Sequence, residues 1–321
     1  MVIPAYNVGK FIARTLDSVL AQTRPADEII VVDDGSTDET GEVVARYGQK
    51  IRYIRQENAG ASTARNTGIK AAQNEWIAFL DGDDEWLPEK LQLQIELLQR
   101  NPQLFWTTGN FYRCLCDEDR RGTDITAARA TRLMAGQDYL ENYFPAYMIG
   151  LGGWTGTMII KRDALHKVGL FRPQQKRAND LDMWWRIAHR WPRIGYLPQP
   201  LAIYHMGTPV SISQGFFPTE LYCDLIARHQ HLAAEQGHPD IFRNFAAWIL
   251  RRWIRSMLFQ ARAEDVRSTI SRFNELLPAW YKLWMRILTA FPGTTATGCH
   301  LISRMIQKFK LRKRIARRPK R

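Results

Sequence analysis

Asp81-Gly82-Asp83-Asp84 follows directly on the apolar run Trp76 to Leu80, so Asp81 and Asp83 stand one residue apart at the end of an expected strand. Neighbouring like charges destabilise one another unless a cation or a proton intervenes, and a divalent cation is the simplest resolution. Oxygen ligands without nearby His or Cys favour Mg²⁺ or Mn²⁺ over zinc, and Mg²⁺ sites combine one or two carboxylates with substrate phosphates. The chemistry implied is the handling of a diphosphate. A solvated acidic turn capping a helix near Trp86 is the alternative, and an Asp-x-Asp alone does not separate the two.

The elements that must position these acids are legible from periodicity. Apolar runs bounded by turn residues alternate with segments of helical period, the pattern of a parallel sheet with crossover helices. Strands are expected at Val2-Ile3, 28–32, 51–54 and 76–80, and helices over 8–22, 37–47, 60–73 and 86–100. The helix at 37–47 opens with Ser36-Thr37-Asp38-Glu39, which offers N-cap side chains. Two apolar residues after Met1 make a first strand shorter than the usual five or so, so the natural start is expected upstream. Tyr6-Asn7, Asp33-Asp34, Glu57-Asn58 and Asp81 to Asp84 each follow a strand. In a parallel sheet those carboxyl ends share one edge, where open α/β folds bind ligands. Pro4-Ala5-Tyr6-Asn7 stands where a dinucleotide fold would carry Gly-x-Gly-x-x-Gly and an NTPase a Gly-rich loop with Lys-Ser/Thr, which disfavours both.

The composition, 321 residues at 45% hydrophobic, suits a globular chain of one large domain or two ordinary ones. Cys114, Cys116, Cys223 and Cys299 are too few and scattered for a disulfide framework, and Cys114-x-Cys116 lacks a second pair at zinc spacing. Without a basic and then apolar leader after Met1, a cytoplasmic protein with reduced thiols is expected. The net charge of +13 is uneven: residues 1–242 hold 26 Lys+Arg and 29 Asp+Glu, whereas 243–321 hold 19 and 3. The basic character belongs to the tail.

Pro4-Ala5-Tyr6-Asn7, Ile30 to Asp38 (IVVDDGSTD), Asn58-Ala59-Gly60 with Ala64-Arg65-Asn66-x-Gly68, and Leu80-Asp81-Gly82-Asp83-Asp84 resemble the successive signatures of family 2 glycosyltransferases. The match covers about residues 1–215 and is strongest up to about 100. The resemblance implies an α/β GT-A fold, a mostly parallel central sheet with helices on both faces, followed here by a helical, basic C-terminal region. It implies that Pro4 and Tyr6 lie against the nucleotide, Tyr6 stacking on the base, and that Asp34 accepts a hydrogen bond from the base. Arg65 would sit near the phosphates, Asp81 would bind the ribose, and Asp83 would hold Mn²⁺ or Mg²⁺. Ala178-Asn179-Asp180-Leu181-Asp182-Met183-Trp184 is similar to the segment where the family places its catalytic base. Asn179 replaces the usual Glu, and Asp180 matches the Asp and takes the base role, with helix capping as its alternative. His205 resembles a late His that helps hold metal or diphosphate in some relatives, and a core histidine is the alternative.

Trp154, Trp184, Trp185, Trp191 and Tyr204 make the second half aromatic-rich, which suits stacking on an acceptor sugar, with core packing of most of them as the alternative. Trp154 is the best candidate because it lies in the turn Gly152 to Gly156 and not in a periodic run, with Asp182 and Trp184 as further acceptor contacts. The Gln-x-x-Arg-Trp element of processive synthases is absent.

In 246–261, Ala246, Ile249, Leu250, Trp253, Ile254, Met257 and Leu258 repeat at helical spacing, and a second stripe runs from Leu277 through Trp280, Tyr281, Trp284 and Ile287 to Phe291. Neither reaches the ~20 apolar residues a spanning helix needs. With the cations of 308–321, they fit peripheral attachment to anionic lipid, each cation being worth ~1 kcal/mol near the surface. The alternative packs the stripes against protein. Nucleic acid is the weaker reading of the tail, since the aromatics form stripes and not a stacking platform.

These readings divide the chain into a nucleotide-sugar-binding half, 1–110, an acceptor-binding half, 111–215, and a C-terminal region, 216–321. The expected activity is transfer of a sugar, with inversion, from a nucleotide-diphospho-sugar to a glycan or lipid-linked acceptor in envelope synthesis, at the inner face of the cell membrane. The rival reading is a GT-A module that has lost turnover and holds a nucleotide or glycan at the membrane.

Overall fold

A computed structural model describes residues 1–115, 121–173, 175, 177–207 and 219–290. The strands are β1 Val2–Ala5, β2 Ile30–Asp33, β3 Arg52–Arg55, β4 Trp76–Ala78, β5 Glu85–Trp86, β6 Trp106–Leu115, β7 Arg121–Gly122, β8 Tyr139–Leu140, β9 Ile159–Lys161 and β10 Ile194–Met206. The helices are α1 Gly9–Leu20, α2 Thr40–Ala45, α3 Ala61–Ala71, α4 Lys90–Arg100, α5 Ala127–Met134, α6 Tyr143–Met148, α7 Arg162–Lys167 and α8 Asn179–Arg190, then α9 Thr219–Glu235, α10 Pro239–Phe259, α11 Ala263–Arg272 and α12 Ala279–Ala290. The chain divides into two compact units near residue 216.

In the first unit β3, β2 and β1 are parallel neighbours, with Pro4 opposite Val32 and Val32 opposite Ile54. A parallel bridge between Val2 and Phe79 carries this ladder into a second order, β4-β9-β6-β10-β5. There β10 runs parallel to β6, whereas β9 is antiparallel to β4 and β6 and β5 is antiparallel to β10. The α/β expectation holds, with parallel pairing in the β3-β2-β1 ladder and again between β6 and β10, and antiparallel pairing at β4, β5 and β9.

The helices form where apolar residues recur on one face. In α1, Ile12, Leu16 and Val19 are buried against a core shared with Ile3 and Val31; full burial of each aliphatic side chain is worth about 1.5–3 kcal/mol. Asp38 accepts from the Gly9 amide at 2.9 Å and the Thr40 amide at 3.0 Å, so one carboxylate caps the starts of α1 and α2. The helix expected from 86 starts at Lys90 instead, because Glu85 and Trp86 pair with Ile203 and Ala202 as a short edge strand.

The second unit contains α9 to α12. Tyr222 of α9 meets Trp253 of α10 edge-on at 4.6 Å, and Arg272 of α11 reaches Glu220 and Asp224 of α9 at 3.1 and 2.6 Å. Ala246, Ile249, Leu250, Ile254, Met257 and Leu258 of α10 are buried. The lipid-facing role expected for that stripe is therefore corrected: it is core. The cations of 308–321 lie outside the described residues.

Candidate active site

The acidic turn after β4 is held from α1. The Thr15 hydroxyl lies 3.0 Å from the Gly82 carbonyl and 2.8 Å from that of Asp84, and Arg14 donates to the Asp83 carbonyl at 2.9 Å. Gly82 packs closely, since a Cβ there would meet Val8, Ile12 and the Pro4 carbonyl within 3.1–3.3 Å. Asp81 to Asp84 is thereby set beside the end of β1. The Asp34 amide donates to the Ala5 carbonyl at 2.8 Å, so the end of β2 lies at the same edge. Tyr6, just past β1, is 46% exposed at this edge, while Pro4 is buried within the strand. Asn7 takes φ 52, a left-handed turn that Asn tolerates, and its Oδ1 accepts from the Thr37 amide at 2.9 Å.

Asp34 is almost fully buried, its Oδ1 accepting from Gln56 Nε2 at 2.7 Å and the Ala59 amide at 3.0 Å, its Oδ2 from the Gly60 amide at 2.7 Å. It braces the loop that opens α3, and a carboxylate with about four lone-pair sites keeps capacity for one further donor. Arg65 of α3, itself buried, donates to Asp81 Oδ1 at 2.6 Å and lies over the Phe171 ring at 5.5 Å. One turn of α3 also presents Ser62, which accepts from Asn179 Nδ2 at 2.9 Å, and Asn66, which is bonded to the Phe171 backbone. Ser62 and Asn66 carried no assigned role in the sequence. The available signal was their spacing with Arg65 and Ile69, which puts polar groups on a helix face that packs inward.

Asp180 sits half-buried in the first turn of α8, with its Oδ1 accepting the Leu181 amide at 2.8 Å. Burial pushes its pKa up, the Asp81 charge adds to this, and the Leu181 amide and Arg65 work the other way. A carboxyl raised in this manner is better matched to proton transfer near neutrality than an ordinary one.

Two acceptor expectations are corrected. Asp182 is 1% exposed and paired with Arg186 at 2.9 Å and Arg172 at 3.3 Å, and Trp184 is 2% exposed among Phe79 and Phe171. On α8 both point into packed interior, which leaves an acceptor no surface to touch. Trp154 is half-buried beside Phe111 at 5.4 Å and Tyr204 at 5.0 Å. Its turn is tied to the acidic segment because the Trp86 indole donates to the Gly156 carbonyl at 2.7 Å. His205 stands beside the acidic segment: its ring Nε2 lies 2.6 Å from Glu85 and its amide donates to Asp84 at 2.7 Å. Among the described residues no three His, Cys, Asp or Glu side chains gather as a metal site. The carboxylate oxygens of Asp83 fit a hard cation whose remaining ligands would come from a diphosphate.

The sheet, its acidic edge and its helices define a GT-A fold. Residues 1–169 match the family described as glycosyl transferase family 2, and the chain belongs to that family. It is 31% identical over 189 residues to an uncharacterized glycosyltransferase of Rickettsia prowazekii, covering 58% of this chain and 57% of that one. It is 39% identical over 113 residues to the putative teichuronic acid biosynthesis glycosyltransferase TuaG of Bacillus subtilis, covering 34% and 45%. The chain thus spans about half the length of these relatives. Among solved structures, residues 1–349 of Staphylococcus aureus TarS in complex with UDP-GlcNAc superpose with a TM-score of 0.71 at 17% identity, covering 95% and 90%. The mannosyltransferase PcManGT of Pyrobaculum calidifontis, in complex with GDP-Man and Mn²⁺, gives 0.55 at 17%, covering 94% and 85%.

Proposed function

We propose that the chain transfers a sugar from a nucleotide-diphospho-sugar to an acceptor hydroxyl in a single in-line displacement that inverts the anomeric centre. The observation that carries this reading is one guanidinium, Arg65, bonded to Asp81 at 2.6 Å and within electrostatic reach of Asp180. It links the acid assigned to the donor with the group assigned as base. Asp180, ionised above its raised pKa, takes the acceptor proton as the acceptor oxygen bonds to the anomeric carbon and the bond from that carbon to the diphosphate oxygen breaks. Tyr6 stacks on the base, with Pro4 beside it in β1, Asp34 and its loop border the base, and Asp81 binds the ribose. Trp154 offers the acceptor an aromatic face. Asp83 would hold Mn²⁺ or Mg²⁺, which as a Lewis acid would stabilise charge on the departing diphosphate; the Mn²⁺ in the PcManGT complex supports a divalent cation as cofactor.

Residues 1–110 are assigned to the donor and 111–215 to the acceptor. The TuaG name supports a role in making a cell-surface glycan, and the UDP-GlcNAc and GDP-Man complexes support a nucleotide-diphospho-sugar as donor. We place the enzyme at the cytoplasmic face of the cell membrane, attached peripherally through 216–321. Among the described residues no helix is long and apolar enough to cross a membrane.

The test is release of nucleoside diphosphate by the purified chain with UDP-, GDP- and dTDP-sugars, with and without Mn²⁺. Metal-stimulated release with one donor is expected. Bound donor without any turnover would support the module that only holds a nucleotide or glycan.

A further inference from the structure

Helix α12 presents two faces. Met285 and Thr289 are buried, whereas Trp280, Leu283, Trp284 and Ile287 are 61, 59, 57 and 50% exposed. Their spacing aligns them along one side of a 12-residue helix. Contiguous apolar surface of this kind marks an interaction site, whereas single exposed apolar residues do not. The neighbouring α10 shows the contrast, since its stripe is inside the helical unit.

Charge identifies the occupant. No acidic residue follows Glu275, and residues 276–321 carry 12 Lys+Arg; of the two on α12, Arg286 is exposed, whereas Lys282 is bonded to Asn274 Oδ1 at 2.7 Å. A second copy of the chain would bring this cationic segment against its equal, an arrangement opposed by like-charge repulsion. An anionic lipid surface satisfies both parts: indoles settle at the headgroup level, aliphatic side chains enter the acyl boundary, and Lys and Arg meet lipid phosphates. At about 1.5 Å per residue α12 is far too short to span a bilayer, so it would lie in the interface plane.

We propose that α12 is the membrane-docking element, with Trp280, Leu283, Trp284 and Ile287 as its inserting face and the acid-free segment around it as its electrostatic anchor. This rests on the peripheral attachment proposed above and assigns it to one surface.

The experiment is flotation of the full chain with vesicles of phosphatidylcholine and phosphatidylglycerol, against pure phosphatidylcholine vesicles, at low and high salt. The parent should float with the anionic vesicles at low salt, with a blue shift of tryptophan emission. The double variant Trp280→Ser/Trp284→Ser should keep the parent's melting temperature and its rate of nucleoside diphosphate release, while its partition falls roughly tenfold or more. Unchanged flotation of that variant would overturn the α12 assignment and leave peripheral attachment standing on charge alone. Failure of the parent to float would remove both. A parent that is dimeric without lipid and a variant that is monomeric would make the stripe a self-association face, and salt-sensitive RNA binding without flotation would assign the segment to nucleic acid.

Discussion

Asn66 and Phe171, 105 residues apart, are joined by a reciprocal pair of hydrogen bonds: Asn66 Nδ2 donates to the Phe171 carbonyl at 2.7 Å, and the Phe171 amide donates to Asn66 Oδ1 at 2.9 Å. The helix that carries Arg65 therefore also holds the segment leading into α8 and Asp180. Ser62, one turn earlier, accepts from Asn179. The donor side and the proposed base are registered against one another by a single face of α3.

Asn66→Ala leaves the Phe171 amide and carbonyl without these partners, and each buried group stranded in this way costs about 1–3 kcal/mol. Urea denaturation should show a loss of about 2–6 kcal/mol. If the registry matters for catalysis, kcat falls by more than the donor KM rises. An unchanged denaturation midpoint would show the pair to be dispensable.

Asp180→Asn should lower kcat by about 10²–10⁴-fold, the contribution typical of a positioned base, with donor binding retained. Asp83→Ala should also lower turnover by orders of magnitude while weakening the response to Mn²⁺. Steady-state nucleoside diphosphate release measures both, and near-normal rates in either variant refute the role assigned to it.

The acidic limb of the rate profile follows from the direction of the Asp180 shift. Burial, reinforced by Asp81, raises its pKa, so proton acceptance is lost at a higher pH than an ordinary carboxylate near about 3.9 would give. Activity should rise with pH through a value above that range. A plateau persisting down to about pH 4 contradicts Asp180 as the base.

Asp84 is fully buried, and its pKa is pushed well above the usual value by burial first and then by Asp83 and Asp81, against the His205 amide. A carboxyl raised on folding contributes stability below its unfolded pKa, and that contribution is lost as pH rises through the folded value. Asp84→Asn keeps an oxygen for the His205 amide and removes the titration. Its stability relative to the parent should therefore increase with pH; urea melts at about pH 5 and about pH 8 giving the same difference would contradict this.

Gly68→Ala tests the contact between α3 and β1. A Cβ there would overlap the Val2 side chain of β1, so Val2 or the helix must shift. Overpacking of this kind costs about 1–3 kcal/mol, visible as a lower melting temperature.

The parallel first half was legible because period and turn residues agree there: Ile30 to Asp33 ends in acids, and Ile12, Leu16 and Val19 repeat at helical spacing. Strand polarity by itself puts Asp34 and Asp81 at one edge. The start of α4 was misplaced because Trp86 belongs to a two-residue pairing with Ala202 and Ile203 of β10, a contact so distant in sequence that no local pattern encodes it.

Side-chain direction was less accessible. Asp182 and Trp184 share the first turns of α8 with Asp180, yet they turn inward to Arg186 and Phe171. The stripes of α10 and α12 read alike, and among the described residues only that of α10 is covered by protein. Residue order alone determined the fold class, the acidic edge and the charge of the tail, since these depend on period, strand polarity and composition. Tertiary structure decided which oxygens of Asp34 are already engaged, that His205 faces Glu85, and that Trp280 and Trp284 stay in solvent, because each depends on partners brought together only when distant segments pack.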